Sequence, residues 1–273
     1  MPAPSTRSKS KLSTKKSAEH VYVYVYAAVE GTPAALPGPG MPGGGPPRAI
    51  PIAEHTSLIV SSVPSDTYNA LSIEARLSDL DWVASAGAAH HAVVDALVSH
   101  TAVVLPFRLL TIFSTEEKAV TTAREKLPAI RRAFARVRGS EEWVLHIGRP
   151  DPSRLPPADA APRARSGTDF LATKALKRRE DLSRAERIKS DAVASYEALQ
   201  RVAEAAKTKP VDPSGTLLLD AAFLVRPSQL ESLKHALTKA AERLLRDGCR
   251  VSLTGPWPPY SFASVDVESE ADA

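Results

Sequence analysis

His90, His91 and His100 fall within eleven residues and form the one histidine cluster of this sequence, the side-chain type best suited to hold a metal or move a proton near neutral pH. On a helix, consecutive positions point about 100° apart, and His100 lies more than two turns beyond the pair, so the three do not converge. A zinc site needs its ligands on one face together with an acidic or thiolate partner, so the histidines read as surface and helix-packing residues and no metal is expected. The single cysteine, Cys249, excludes an intrachain disulfide and a cysteine-based zinc site, and beside Gly248 it reads as a small buried hydrophobe. Zinc-protease, nucleophile-elbow, P-loop and dinucleotide-binding motifs are absent. Gly43-Gly44-Gly45 lies between prolines, not between a strand and a helix, so it is no phosphate cradle. Asp66, Asp79, Asp81 and Glu142 read as caps and solvated charges. Without a nucleophile–base pair, a metal set or a cofactor motif, the expectation is a binding protein and not an enzyme.

The side chains best suited to binding lie near the C-terminus. Leu253-Thr254-Gly255-Pro256-Trp257-Pro258-Pro259-Tyr260-Ser261-Phe262 holds three prolines, a glycine and three aromatics in ten residues, which excludes a helix or a central strand. It reads as a stiff, extended, aromatic arm. Rigid rings bury much area at small entropic cost, so Trp257, Tyr260 and Phe262 either close the C-terminal core as a lid or form a partner-docking face.

Charge narrows the partners. The pI of 9.2 invites a nucleic-acid reading, but Arg7, Lys9, Lys11, Lys15 and Lys16 place five of the 35 basic side chains in residues 1–18, where there is no acid. Residues 19–273 are left with 30 basic and 31 acidic side chains. The folded part is therefore nearly neutral, and the tail reads as disordered solubilising sequence. The run Lys174, Lys177, Arg178, Arg179, Arg184, Arg187, interleaved with Glu180, Asp181 and Glu186, reads as an exposed, ion-paired helix, with polyanion binding as the alternative. No apolar run reaches the roughly 18–20 residues of a membrane helix, and residues 1–18 lack the apolar stretch of a secretory signal, so a cytoplasmic protein is expected.

The elements that must position these residues are legible in outline. Val21–Val29 alternates β-branched and aromatic residues with a period near two and predicts a central strand. Seven prolines and six glycines between Gly31 and Pro51 predict an insertion of low order, followed by a second strand around Ile52–Ser62. Helix is expected over Asp66–Ser99, with Ser78 or Asp81 as a cap, then a strand over Thr101–Leu110 that Pro106 marks as bulged or at an edge. Ser114 and Glu117 have capping-box spacing for a helix over 115–138 that Pro128 kinks or divides and Gly139 ends. Trp143–Ile147 is the next strand. Proline-free and glycine-free sequence over Asp169–Lys207 predicts a long helix or two in series. Leu217–Val225 is a strand, Ser228 and Glu231 suggest a second capping box, and Leu230, Leu233, Leu237, Ala241 and Leu244 form one helical stripe ending at Gly248, before a strand at Val251–Leu253.

Both halves run strand, capped helix, glycine, strand. The fold class expected is α+β: two domains, each a mostly antiparallel sheet with helices packed on it, ferredoxin-like in part, the second with a long helical segment. The expected boundaries are a basic tail over 1–18, an N-terminal domain over 19–149 carrying the insertion 31–51, a five-proline linker over 150–166, a C-terminal domain over 167–264 and an acidic tail over 265–273.

Several of these motifs together resemble a known family. Tyr22–Val29, His90 or His91 followed by Val94, Val104-Leu105-Pro106-Phe107-Arg108, Glu142-Trp143 and Leu253–Phe262 occur in the order found in the gas vesicle protein F/L family. The resemblance spans residues from about 20 to 262. The family's strand Leu-Pro-x-Arg-Phe-Gly-Thr reads here Leu105-Pro106-Phe107-Arg108-Leu109-Leu110-Thr111, so two leucines replace the aromatic–glycine pair while Arg108 and Thr111 are kept. Gly167-Thr168-Asp169-Phe170-Leu171 is similar to the family's Gly-x-x-Tyr-Leu opening of its second unit. The resemblance implies a non-enzymatic, minor gas vesicle protein involved in assembly or structure. Its implied partners are the small hydrophobic shell protein, whose polymerisation it would nucleate or chaperone, and other minor gas vesicle proteins.

A shell subunit with an apolar, gas-facing surface aggregates in water until it is polymerised, so its partner must shield it or seed its lattice. The expected contact residues are Phe107, Arg108, Trp257, Tyr260 and Phe262, through edge pairing or a groove. The alternative is a basic α+β nucleic-acid-binding module. Its weak point is the absence of strand aromatics flanked by Lys or Arg, which an RNA-recognition sheet displays.

Overall fold

The structure, a computed structural model, describes residues 21–33, 36, 38–151, 167–263 and 265. The expected basic tail, all of the expected acidic tail but Val265, and most of the expected linker lie outside these residues. Two antiparallel sheets organise the rest. The first contains β1 (Val21–Glu30), β2 (Arg48–Ala53), β3 (Thr56–Pro64), β4 (Val104–Pro106) and β5 (Ile112–Phe113), in the order β2-β3-β1, with β4 and β5 both on the far side of β1. The second, in the order β7-β8-β6-β9, contains β6 (Glu141–Gly148), β7 (Ala205–Lys209), β8 (Leu217–Val225) and β9 (Val251–Trp257).

β1 is central, as its alternation predicts, and residues 23–29 are all buried because both faces of the sheet are covered. Tyr24, Tyr26, Ala27 and Val29 face α3 (Leu80–His100), while Val23, Val25 and Ala28 face α4 (Glu116–Glu125) and α5 (Leu127–Val137). Strict alternation would put Ala27 with Val25. A register shift against β3 between Val25 and Ala27 turns Tyr26 and Ala27 to the same side, as a β-bulge does.

The apolar cluster under α4 and α5 runs on into Val144, Ala222 and Leu224 of the second sheet and into Phe262, so this helix pair lies between the two sheets. The opposite face of the second sheet packs Leu145, Phe223 and Val225 against α6 (Gly167–Gln200) and α7 (Leu230–Arg246). β6-α6-β7-β8-α7-β9, with strand order 2-3-1-4 inside the unit, is the split βαβ arrangement of a ferredoxin-like sheet.

Here the strand Trp143–Ile147 departs from expectation. It was assigned to the N-terminal unit ending at 149, yet its hydrogen bonds go to β8 and β9. The chain changes sheets between α5 and β6, at the Gly139 turn, where φ is 68°.

Local signals fare better. Pro128 starts α5 and divides the helix over 116–137 in two. The caps move by a residue or two: Thr115 accepts from Lys118 N–H where Ser114 was expected, and Asp79 accepts from Asp81 and Trp82 N–H where Ser78 or Asp81 was. The α7 stripe is as expected, but the turn ahead of it is a 3-10 turn in which Arg226 N–H donates to Gln229 Oε1 at 3.3 Å. The Gly/Pro-rich segment is not of low order where it is described. Met41 is buried, Gly44 N–H donates to Met41 O, Gly45 N–H donates to Ser62 O, and a Cβ on Gly40 would collide with the Gly45 carbonyl.

Candidate partner-docking face

The aromatic arm is half strand and half turn. Its first half continues β9 along the open edge of the second sheet, with a register shift against β6 between Glu142 and Val144. Gly255 makes that possible: its φ is 151°, and a Cβ there would stand 2.8 Å from both the Glu142 carbonyl and the Trp143 ring. The second half folds back on itself through Tyr260 N–H to Pro258 O at 2.7 Å and Phe262 N–H to Pro259 O at 3.1 Å.

Glu142 fixes this turn. Ser261 donates its backbone N–H to Oε2 at 2.8 Å and its hydroxyl to Oε1 at 2.7 Å. The Ser261 carbonyl in turn accepts from Lys207 Nζ at 2.7 Å. Burial pushes the Glu142 carboxyl above the usual range, while the two Ser261 bonds, Lys209 and Lys207 pull it back. Sequence reasoning took Glu142 for a cap or a solvated charge. It is a buried latch, and its pairing with Ser261, 119 residues away, had no local signal.

The latch sorts the aromatics. Phe262 is 1% exposed, inside the core shared with α4 and α5, whereas Trp257 and Tyr260 are 41% and 38% exposed. Both exposed rings stand beside α3: Tyr260 Oη lies 3.3 Å from His91 Nδ1, and the His91 ring is 5.6 Å from Trp257 and 6.2 Å from Tyr260. His91 was not among the expected contact residues. Only the resemblance, which marked His90 or His91, pointed to it.

Behind this shelf the rings continue inward. Tyr260 is 6.3 Å from His90, His90 is 5.8 Å from Tyr24, Tyr24 is 6.5 Å from Tyr68, and Tyr68 is 6.3 Å from Trp82. Tyr24 Oη accepts the Leu110 N–H at 3.2 Å, which leaves its own proton for His90 Nδ1 at 2.7 Å. The proton of the neutral His90 ring then sits on Nε2, a buried atom that makes no hydrogen bond of good geometry. Burial, with His91 next in effect, lowers the His90 pKa to about 4 against a pull upward from the Phe107 carbonyl, so the ring is neutral at physiological pH. Leu110, in the family glycine's neighbourhood, has φ 66°, a left-handed conformation that glycine would adopt without strain.

Two of the five expected contact residues, Trp257 and Tyr260, therefore come together on the surface. Phe107 and Phe262 come together in the core and do not face solvent: Phe107 is 5% exposed, and its N–H donates to Tyr26 O. Arg108 is exposed on the turn between β4 and β5, where its carbonyl accepts Thr111 N–H and Oγ1–H. Among the described residues no group of three or more His, Cys, Asp or Glu side chains could hold a metal ion, and no helix is long and apolar enough to cross a membrane.

Comparison with known proteins decides the family. The family described as gas vesicle synthesis protein GvpL/GvpF matches residues 22–264. The chain belongs to that family. It is 32% identical to gas vesicle protein L of Streptomyces sp. (strain CB03234) over 257 residues, covering 90% of this chain and 94% of that protein. Gas vesicle protein F of the same strain is 34% identical over 122 residues, 45% of this chain and 50% of that one. The fold is that of the GvpF crystal structures from Anabaena sp. PCC7120 and Microcystis aeruginosa, with a TM-score of 0.61 to each. Those matches cover 90% of this chain and 97% and 100% of the solved chains, at 16% and 17% identity. The family gives the protein a role in gas vesicles, and the mixed α and antiparallel β class expected from the sequence is the class observed.

Proposed function

We propose that this protein binds the small hydrophobic shell protein of gas vesicles in the cytoplasm and nucleates or chaperones its polymerisation, docking it on the shelf formed by Trp257, Tyr260 and His91 at the β9 edge. The observation that carries this reading is the exposure of two large rings, held out by the Glu142–Ser261 latch, beside an open strand edge. Rigid half-exposed aromatics are efficient anchors for an apolar partner. The other open edge of the second sheet, β7, carries Lys207 and Lys209, which discourage strand addition, whereas β9 carries no lysine. An apolar strand from the shell subunit could extend the sheet there, its ring-binding positions falling on Trp257 and Tyr260. In this reading Phe107 and Phe262 support the face from beneath, and Arg108 serves its rim.

Affinity capture from cells co-expressing a gas vesicle shell protein tests this at low and high salt. Salt-resistant capture by the full chain, lost in the Trp257→Ala/Tyr260→Ala double variant, is expected, because apolar docking survives salt. Capture unchanged in the folded double variant would refute the proposed face. Retention of nucleic acid alone, and only at low salt, would favour the basic nucleic-acid-binding module instead.

A further inference from the structure

α6 is 34 residues long, about 51 Å at 1.5 Å per residue, and its two halves have different surroundings. Ile188, Ala192, Ser195 and Leu199 turn one face to the second sheet and α7. Before Arg184 every side chain described on the helix is exposed, including Phe170, Leu171, Leu176 and Leu182. A helical segment of about 17 residues without a packed face is marginal in water, and large apolar side chains held in solvent add to the cost. The same segment carries Lys174, Lys177, Arg178 and Arg179 with no acid between Asp169 and Glu180. The sequence suggested an ion-paired helix, but among the described residues none of these four cations has an ion-pair partner.

A second surface has the opposite charge and the same excess of leucine. It is the corner formed by α1 (Ser65–Tyr68), α2 (Ala70–Arg76) and the start of α3. Leu71 and Leu80 are 79% and 78% exposed there, and Leu77 between them is also exposed. Asp66, Glu74, Asp79 and Asp81, all exposed, share this stretch with one cation, Arg76, whose guanidinium is drawn over the Trp82 ring at 5.5 Å.

We propose that the projecting half of α6 docks on the α2–α3 corner of a second copy of this chain, head to tail. Each surface supplies what the other lacks: a cationic, leucine-bearing helix and an anionic, leucine-bearing corner. Both are exposed, so they do not meet within one chain. Because the two patches differ, a pair joined through one such contact leaves a free arm and a free corner, whereas a reciprocal pair closes two-fold with both contacts made. Where the pair does not close, copies add head to tail into chains.

Charge-reversal complementation of the full-length protein tests this. One variant is K174E/K177E/R178E/R179E, on the solvent side of a helix whose other half holds the fold. The second is D66K/E74K/D81K, which spares the Asp79 cap. Sedimentation velocity across a concentration series should show wild-type species growing with concentration and shrinking with added salt. Each variant alone should associate about tenfold more weakly or worse, since like charges then oppose one another. An equimolar mixture of the two should restore assembly, because each reversed surface now meets a reversed partner. A monomeric wild type throughout the series, or variants that associate as wild type does, would overturn the proposal. So would a mixture that stays monomeric while both variants keep wild-type circular dichroism. Loss of shell-protein capture in the α6 variant with no change in self-association would assign that helix to a different partner and also overturn it.

Discussion

β1 and the segment Leu253–Phe262 both draw on aromatic side chains and use them in opposite ways. In β1, Tyr24 and Tyr26 are fully buried because the strand is central and both faces of its sheet are covered by helices. In the arm, only Phe262 goes inward, while Trp257 and Tyr260 stay half in solvent at a sheet edge. The same ring chemistry serves folding where neighbours close over it and remains available for binding where backbone constraints hold it out. Gly255 and the Glu142–Ser261 latch make that difference, so changes at and around them should separate stability from docking.

The largest effect is expected from Phe262→Ala, the one arm ring that behaves like β1. Removing a fully buried phenylalanine costs about 3–5 kcal/mol through lost burial and the cavity left behind. Urea unfolding should show that loss, whereas Tyr260→Ala in the same turn should move the midpoint far less. Equal losses for the two would mean that Tyr260 is as structural as Phe262.

His90 sharpens the comparison through pH, since it joins the β1 rings to the arm. Its folded pKa is depressed to about 4 from 6.5, so its contribution is fully present above pH 6.5 and is lost as pH falls toward 4. The full shift corresponds to about 3 kcal/mol at 1.36 kcal/mol per unit. Glu142 acts with the other sign: its raised pKa gives stability below the ordinary glutamate range that is lost as pH rises through the folded value. Unfolding free energies of wild type and His90→Gln between pH 7 and 4 should converge as the pH falls. Parallel curves would show that His90 is protonated without cost and that the inner rings are more open than the structure indicates.

How much of this was legible in the sequence depends on how local the cause is. β1, the division of the helix at Pro128, the Gly139 turn and the α7 stripe were legible because a short pattern or a single residue's sterics fixes each. The sheet to which Glu141–Gly148 belongs was not, because strand partners are chosen by residues far along the chain, and the proline-rich run after Pro150 offered a more conspicuous but misplaced break. β7 was read as helix: Ala205-Ala206-Lys207-Thr208-Lys209 has mostly helix-favouring residues, and its pairing with β8 overrides them. In the candidate face, ring type and proline stiffness singled out Trp257, Tyr260 and Phe262 together, without separating the two rings that turn outward from the one that turns inward. Phe107 was expected at the contact and is buried, and for Phe262 the lid reading fits its burial, since an aromatic residue in a strand or arm carries no mark of which way it turns. His91 joins the shelf through a contact 169 residues away from Tyr260, beyond any local pattern.

A smaller loss is expected from Gly255→Ala. The added methyl meets the Glu142 carbonyl and the Trp143 ring at 2.8 Å and forces a non-glycine residue into φ 151°. Such strain costs about 1–3 kcal/mol, so β9 should detach from β6 near Glu142 before the sheet as a whole unfolds. Amide exchange should accelerate at Trp257 and Ser261, with little change at Val251 and Leu253. Uniform acceleration along β9 would show that the edge strand is one cooperative unit and that the arm has no independent freedom.

Trp257→Ala should have the smallest effect on stability and the most telling one on binding. The ring is exposed on one side, and its indole N–H donates to Thr254 Oγ1 at 3.2 Å within the same segment, so its removal leaves no buried group unsatisfied. Surface changes of this kind usually stay within about 0.5 kcal/mol, although the contact with His91 could raise that to about 1 kcal/mol. Thermal unfolding should therefore be nearly unchanged while shell-protein capture falls. A large drop in melting temperature would move Trp257 into the same class as Tyr24 and Phe262, a ring that closes the fold, and the arm would then be a lid and not a docking face.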